Sequence, residues 1–138
     1  MKTLSIILIL FFTLSLQANE DIAVVVSSKF KIDSLQKSDV NRIFLAKKSH
    51  INNKKIKVIE LKNASYKELF YKQTSNKTLS QLRAYWIRVI FTGKAKPPKQ
   101  VESLDKLLEM MAQNESLISY IPVSMVTDEM KILYKVQN

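Results

Sequence analysis

The chain has one histidine, His50, in a polar stretch beside Lys47 and Lys48. A histidine-dependent triad needs a nucleophile and an orienting acid brought to the imidazole. Nothing near His50 in sequence supplies either, so it reads as a surface residue. No spacing of Asp, Glu and His resembles a metal site. The absence of cysteine removes disulfides, thiolate ligands and a cysteine nucleophile. The expectation is therefore a non-enzymatic protein with no cofactor and no metal. A better constellation lies where Val58-Ile59-Glu60-Leu61 runs into Lys62-Asn63-Ala64-Ser65. A strand feeding a helix through a short polar turn points free N–H groups, and the positive end of the helix dipole, at any anion there. Lys62, Asn63 and Ser65 add donors. An alternative stands beside this reading: Ser65-Tyr66-Lys67-Glu68 has the S-x-x-E form, in which Ser65 and Glu68 cap each other. Ser27-Ser28 closes an earlier apolar run in a comparable position. The candidate ligand-binding set is Ser27, Ser28, Lys62, Asn63 and Ser65.

The elements that would hold these residues are legible from pattern. Ile22 to Val26 is a continuous apolar, β-branched run, expected of a strand buried on both faces. Ser38 is the expected N-cap of a helix carrying Val40, Ile43 and Phe44. Lys47 to Lys57 reads as a polar loop with Asn52-Asn53 at its tip, and Ile56 to Leu61 as a second strand. A helix is expected to start at Ser65. Thr78-Leu79-Ser80-Gln81 has the T-x-x-Q capping form and opens a helix with Leu82, Trp86, Val89 and Ile90 at helical spacing. Trp86 reads as core. Arg83 and Arg88 are five apart and form no clamp on one face.

Gly93 is the only glycine. It is the expected stop of the Trp86 helix, because glycine adopts the left-handed C′ conformation without a steric cost. Pro97-Pro98 then bars helix continuation, leaving Lys94, Lys96 and Lys99 in a solvated loop. Ser103 caps a helix with Leu104, Leu107, Leu108 and Met111 on its buried face. Ile118 to Pro122 and Met130 to Val136 complete the pattern β-α-β-α-α-α-β-β. That order implies an α/β domain with a mixed, partly parallel sheet and helices packed on its faces.

Met1 to Ala18 reads as a secretory signal: Lys2, an apolar run from Leu4 to Leu14, and a small residue at the cut. Its apolar run falls short of the ~20 residues of a bilayer span. Residues 19–138 are then expected to form one exported domain, with no further membrane span. The net charge is +10, but only three of the 22 basic residues are arginine. Nucleic-acid readers favour arginine for its bidentate contacts, so a solvated lysine surface is the plainer reading and no nucleic acid is expected. Asn63, Asn76 and Asn114 begin N-x-S/T matches, read as effects of composition.

Together these segments resemble a family. Asp33-Ser34-Leu35 through Val40-Asn41-Arg42-Ile43-Phe44-Leu45-Ala46-Lys47 resembles the sLs…el..IFlGK segment of phosphate-type periplasmic substrate-binding proteins. Arg83-Ala84-Tyr85-Trp86 with Phe91-Thr92-Gly93-Lys94 and Pro97-Pro98 is similar to a short, single-domain branch. Ile118-Ser119-Tyr120-Ile121-Pro122 is similar to the family's aIGYvp strand. The resemblance implies a type 2 periplasmic-binding fold. In that family two α/β lobes clamp an oxyanion and pass it to an ABC importer, and this chain supplies about one lobe. Against the family's R-S-D-G-S-G-T ligand loop, Ser65 matches and Asn63 stands at the acid. Leu61 replaces the arginine, Ala64 and Tyr66 replace both glycines, and Ala46 replaces the glycine of IFlGK. Close backbone approach to phosphate favours glycine.

What the resemblance implies is a phosphate-like oxyanion ligand and an ABC permease or another periplasmic protein as partner, in transport or sensing. The alternative is a periplasmic interaction module that kept the fold and lost its ligand. A lone lobe exposes the face that meets its partner lobe, and a homodimer is one way to bury it.

Overall fold

The computed structural model describes residues 20–137. The expected signal segment, residues 1–18, lies outside them. The chain builds β1 (Ile22–Ser27), α1 (Lys37–Phe44), a small hairpin of β2 (His50–Ile51) and β3 (Lys54–Lys55), and β4 (Lys57–Leu61). It continues with α2 (Ala64–Ser75), α3 (Leu79–Phe91), β5 (Lys99–Val101), α4 (Leu104–Gln113), β6 (Leu117–Pro122) and β7 (Met130–Val136). A 3₁₀ turn, Val123–Met125, follows β6.

Five strands form one sheet in the order β5-β4-β6-β1-β7. β4 is parallel to both β5 and β6, whereas β1 is antiparallel to β6 and β7. Four strands thus point one way and β1 alone runs against them. The expected mixed α/β architecture is what the chain adopts. All six residues of β1 are buried. Ile22, Val24 and Val26 join the core on one face with Val40 and Phe44 of α1, Phe70 and Tyr71 of α2, and Leu82 and Trp86 of α3. Ala23 and Val25 join the core on the other face with Leu107 and Met111 of α4. Helices therefore cover both faces, which explains the unbroken apolar run of β1.

Four local expectations change. Ser38 is not the N-cap of α1: the helix begins at Lys37, and Gln36 takes the cap position without a side-chain bond. The backbone N–H of Leu35 bonds to the carbonyl of Leu133 in β7, pinning the chain there and setting an earlier start. Ser65 does not cap α2 either. Asn63 does, its Oδ1 accepting the Tyr66 N–H at 3.0 Å. β4 stays paired to Leu61, and the Lys62 N–H bonds to Val101, so extended backbone ends at Asn63, a cap at least as good as serine. The 47–57 loop contains the β2–β3 hairpin, whose turn residues Asn52 and Asn53 both have positive φ (48° and 65°). Asparagine tolerates that conformation and two-residue hairpin turns favour it. Finally, Lys99 joins a short strand, because residues after Pro98 fall beside the open edge of β4.

Other cues hold as read. Thr78 and Gln81 form a reciprocal capping box at the start of α3. Ser103 caps α4. Gly93 has φ +68° just beyond the α3 cap.

Candidate functional site

The end of β4, the start of α2 and the outer side of α3 enclose a groove of about 690 Å³. Each side chain there has a structural reason for its position. Lys62 and Asn63 form the two-residue turn between strand and helix, and Lys67 lies one turn into α2. Leu82 and Trp86 are core residues of α3 that show the groove only an edge. Arg83, Ile87 and Ile90 lie toward solvent on the same helix, and Pro97 and Gln100 close the side next to β5. No carboxylate lines this groove, whereas three cations do, Lys62, Lys67 and Arg83. Lys62 also pairs with Glu102 at 3.2 Å, but both are well exposed and such a pair contributes about 0–1 kcal/mol.

The groove meets the N-terminus of α2, where the side chain of Asn63 already accepts one N–H. The N–H groups of Ala64 and Ser65 are not engaged by that cap. Ser65 itself is exposed and does not line the groove. Of the five candidate ligand residues, then, Lys62 and Asn63 lie in it and Ser65 stands just outside.

Ser27 and Ser28 are elsewhere. β1 runs against β4, so its end lies at the opposite edge of the sheet from Leu61. Five residues of strand separate the two edges by about 17 Å. Ser27 and Ser28 line a different hollow of about 530 Å³ with Lys29, Glu115, Asp128 and Glu129, a setting whose net negative charge disfavours an anion. The sequence places both Ser27-Ser28 and Lys62-Asn63 after strands; the reversed direction of β1 separates them. Sequence reasoning also missed Lys67 and Arg83, whose approach depends on how α2 packs against α3. Arg83 and Arg88 serve separate hollows: Arg88 lies with Lys47, Tyr85 and Lys94 on another side of α3. His50 is exposed, with its Nδ1 2.9 Å from Ser49 Oγ. Among the described residues no group of acidic or histidine side chains is placed to hold a metal.

Behind the groove sits a buried polar knot that the sequence reading passed over. Glu60 is 1% exposed. Its carboxylate accepts a short hydrogen bond from the Tyr120 hydroxyl and a longer one, 3.5 Å, from Tyr71. Tyr71 also donates to the Phe44 carbonyl at 3.3 Å. Phe70 stacks on Tyr120 at 4.0 Å and Phe44 packs edge-on to Phe70. Burial pushes the Glu60 carboxyl above its ordinary range, opposed by the Tyr120 bond, the Lys67 charge and the Tyr71 bond. Burial first, and then the Glu60 charge, raise both tyrosines, so they remain hydroxyl donors. A carboxylate within the apolar run Val58 to Leu61 was the available signal.

With this geometry in place, the chain can be set beside known structures. It has the fold of one lobe-sized domain of phosphate ABC-transporter substrate-binding proteins. An ABC-type phosphate transport receptor from Vibrio cholerae superposes with a TM-score of 0.63 at 14% identity, over 83% of this chain and 45% of that one. A protein from Clostridium perfringens, described as a phosphate ABC transporter substrate-binding protein and solved with bound phosphate, gives 0.64 at 15%, over 83% and 44%. PstS from Borrelia burgdorferi gives 0.58 at 16%, over 83% and 46%. The chain thus spans less than half the length of these structures. No protein-family model matches the sequence, and no curated protein matches it. Among the described residues no helix is long and apolar enough to cross a membrane.

Proposed function

We propose that this chain is a non-enzymatic, exported binding domain that takes a small oxyanion where β4 meets α2, as an accessory to transport or sensing. The observation that carries the reading is the convergence of Lys62, Lys67 and Arg83 on a groove without carboxylates, beside the N-terminus of α2. Positive side chains and a helix N-terminus favour an anion together. The structural neighbours, described as phosphate ABC-transport proteins, support phosphate as the first ligand to try. The site residues of this reading are Lys62, Asn63, Lys67 and Arg83, with the backbone N–H of Ser65. Ser27 and Ser28 have no part in it. An ABC permease or another periplasmic protein is the corresponding partner.

Isothermal titration with phosphate and sulfate tests the reading. Heat of binding at millimolar ligand, lost on Lys67→Glu with Arg83→Glu, is expected; no heat from either anion refutes it. A second reading, an interaction module or homodimer, is favoured by the exposure of Ile87, Ile90 and Phe91 on α3. Light scattering decides that one, since a monomer at high concentration rules out the homodimer.

A further inference from the structure

The groove is much more apolar than an inorganic anion requires. Leu82 and Trp86 form its floor, and Ile87 and Ile90 one wall. These two isoleucines are 58% and 52% exposed, and with Phe91 they are the large apolar side chains that the described chain leaves most open to water. Two of the three therefore line the hollow that also collects the cations. Lys67 and Arg83 take part in no ion pair among the described residues. A volume of about 690 Å³ suits a small organic molecule, which fills about 300–1,000 Å³ in ordinary ligand sites. Bare phosphate would occupy one end and leave the isoleucine wall wet.

We propose that the ligand is an organic oxyanion with an apolar tail, such as a phosphate monoester. Its charged head sits among Lys62, Lys67 and Arg83, and its tail lies along Trp86, Ile87 and Ile90. The inference rests on the oxyanion reading and narrows it. Two features argue for a small soluble ester rather than a second copy of the chain. The groove is concave, and its rim is basic on a chain of net charge +10, so two such rims would repel each other.

The test is a titration series of inorganic, methyl, butyl and hexyl phosphate, followed by calorimetry and by fluorescence of Trp86, the only tryptophan. Each methylene withdrawn from water strengthens binding about fourfold. With partial burial of the tail, hexyl phosphate is expected to bind at least about tenfold more tightly than methyl phosphate. The double variant Ile87→Ser with Ile90→Ser, at exposed positions that do not hold the fold, is expected to flatten the series. Flattening is read as the ratio of hexyl to methyl phosphate affinity within each protein, so that a loss common to both esters drops out. A flat series with inorganic phosphate bound overturns this inference and leaves the oxyanion reading standing. Binding of none of the four overturns this inference, and the oxyanion reading falls with it when sulfate gives no heat either. Sedimentation with anionic lipid vesicles, without binding of the short esters, also overturns it, because the occupant is then a membrane surface.

Discussion

Glu60 gives a quantitative test of how the core is held together. Replacing it by glutamine keeps the shape and an acceptor for Tyr120 while removing the charge. Burial raises the Glu60 pKa above its ordinary 4.5, so the folded chain keeps this proton at pH values where the unfolded chain has lost it. The associated stability is complete below about 4.5 and is lost as pH rises through the folded value. One proton bound by the folded state alone gives a maximum slope of about 1.4 kcal/mol per pH unit. The parent protein should therefore lose stability relative to Glu60→Gln as pH climbs from 4.5. The background titration of the other carboxylates is common to both and cancels in the difference. Glu60→Leu behaves differently. Tyr71 retains the Phe44 carbonyl at 3.3 Å, but Tyr120 is left without its acceptor. A buried, unsatisfied hydroxyl costs about 1–3 kcal/mol. With a urea m-value of about 1–1.5 kcal/mol/M for a domain of this size, the midpoint should fall by about 0.7–3 M. Urea unfolding of the three proteins between pH 4.5 and 8, read by Trp86 fluorescence, measures both effects. Parallel stability curves for the parent and Glu60→Gln, or a Glu60→Leu midpoint equal to the parent's, would refute the account of this knot.

Other expectations follow from single positions. Gly93→Ala has open space around the new Cβ but retains φ +68°, so it should cost only the left-handed strain, about 1–2 kcal/mol by chemical denaturation. Thr78→Ala removes the capping box of α3 and should cost about 1 kcal/mol in the same assay. Ser65→Ala should be within about 0.5 kcal/mol of the parent, since Asn63 holds the cap, whereas Asn63→Ala should lose about 1 kcal/mol. Calorimetry on the double variant Ser27→Ala with Ser28→Ala should return unchanged phosphate affinity, because those serines lie at the far edge of the sheet.

Much of the fold was readable because local chemistry and tertiary context agreed. Thr78, Ser103 and Gly93 act within a turn of where they stand, and Ile22 to Val26 announces burial on both faces. The cap of α2 was misplaced by two residues because Ser65 and Asn63 are both competent. The choice fell to the pairing of β4, which runs to Leu61 and leaves Asn63 at the first free extended position. β5 escaped notice because three residues, Lys99–Val101, carry no periodicity. Their strand exists only because the edge of β4 is there to pair with. For the site, the strand-to-helix turn at Lys62 and Asn63 was visible as a local motif. Lys67 and Arg83 were not, since their meeting depends on the packing of two helices.

The sequence by itself determined the burial of β1 on both faces, the stop of α3 at Gly93 and the α/β class, because each depends on interactions within a few residues or on hydrophobic period. It also determined that thiol chemistry is absent, since the sequence has no cysteine. Strand direction was decided only by the tertiary structure. β1 runs against its four companions, a choice made by long-range pairing with β6 and β7. That one reversal sends Ser27 and Ser28 to an acidic hollow and leaves Lys62 and Asn63 beside the basic groove. A strand's side-chain pattern is the same in either direction, so no local signal could have told the two arrangements apart.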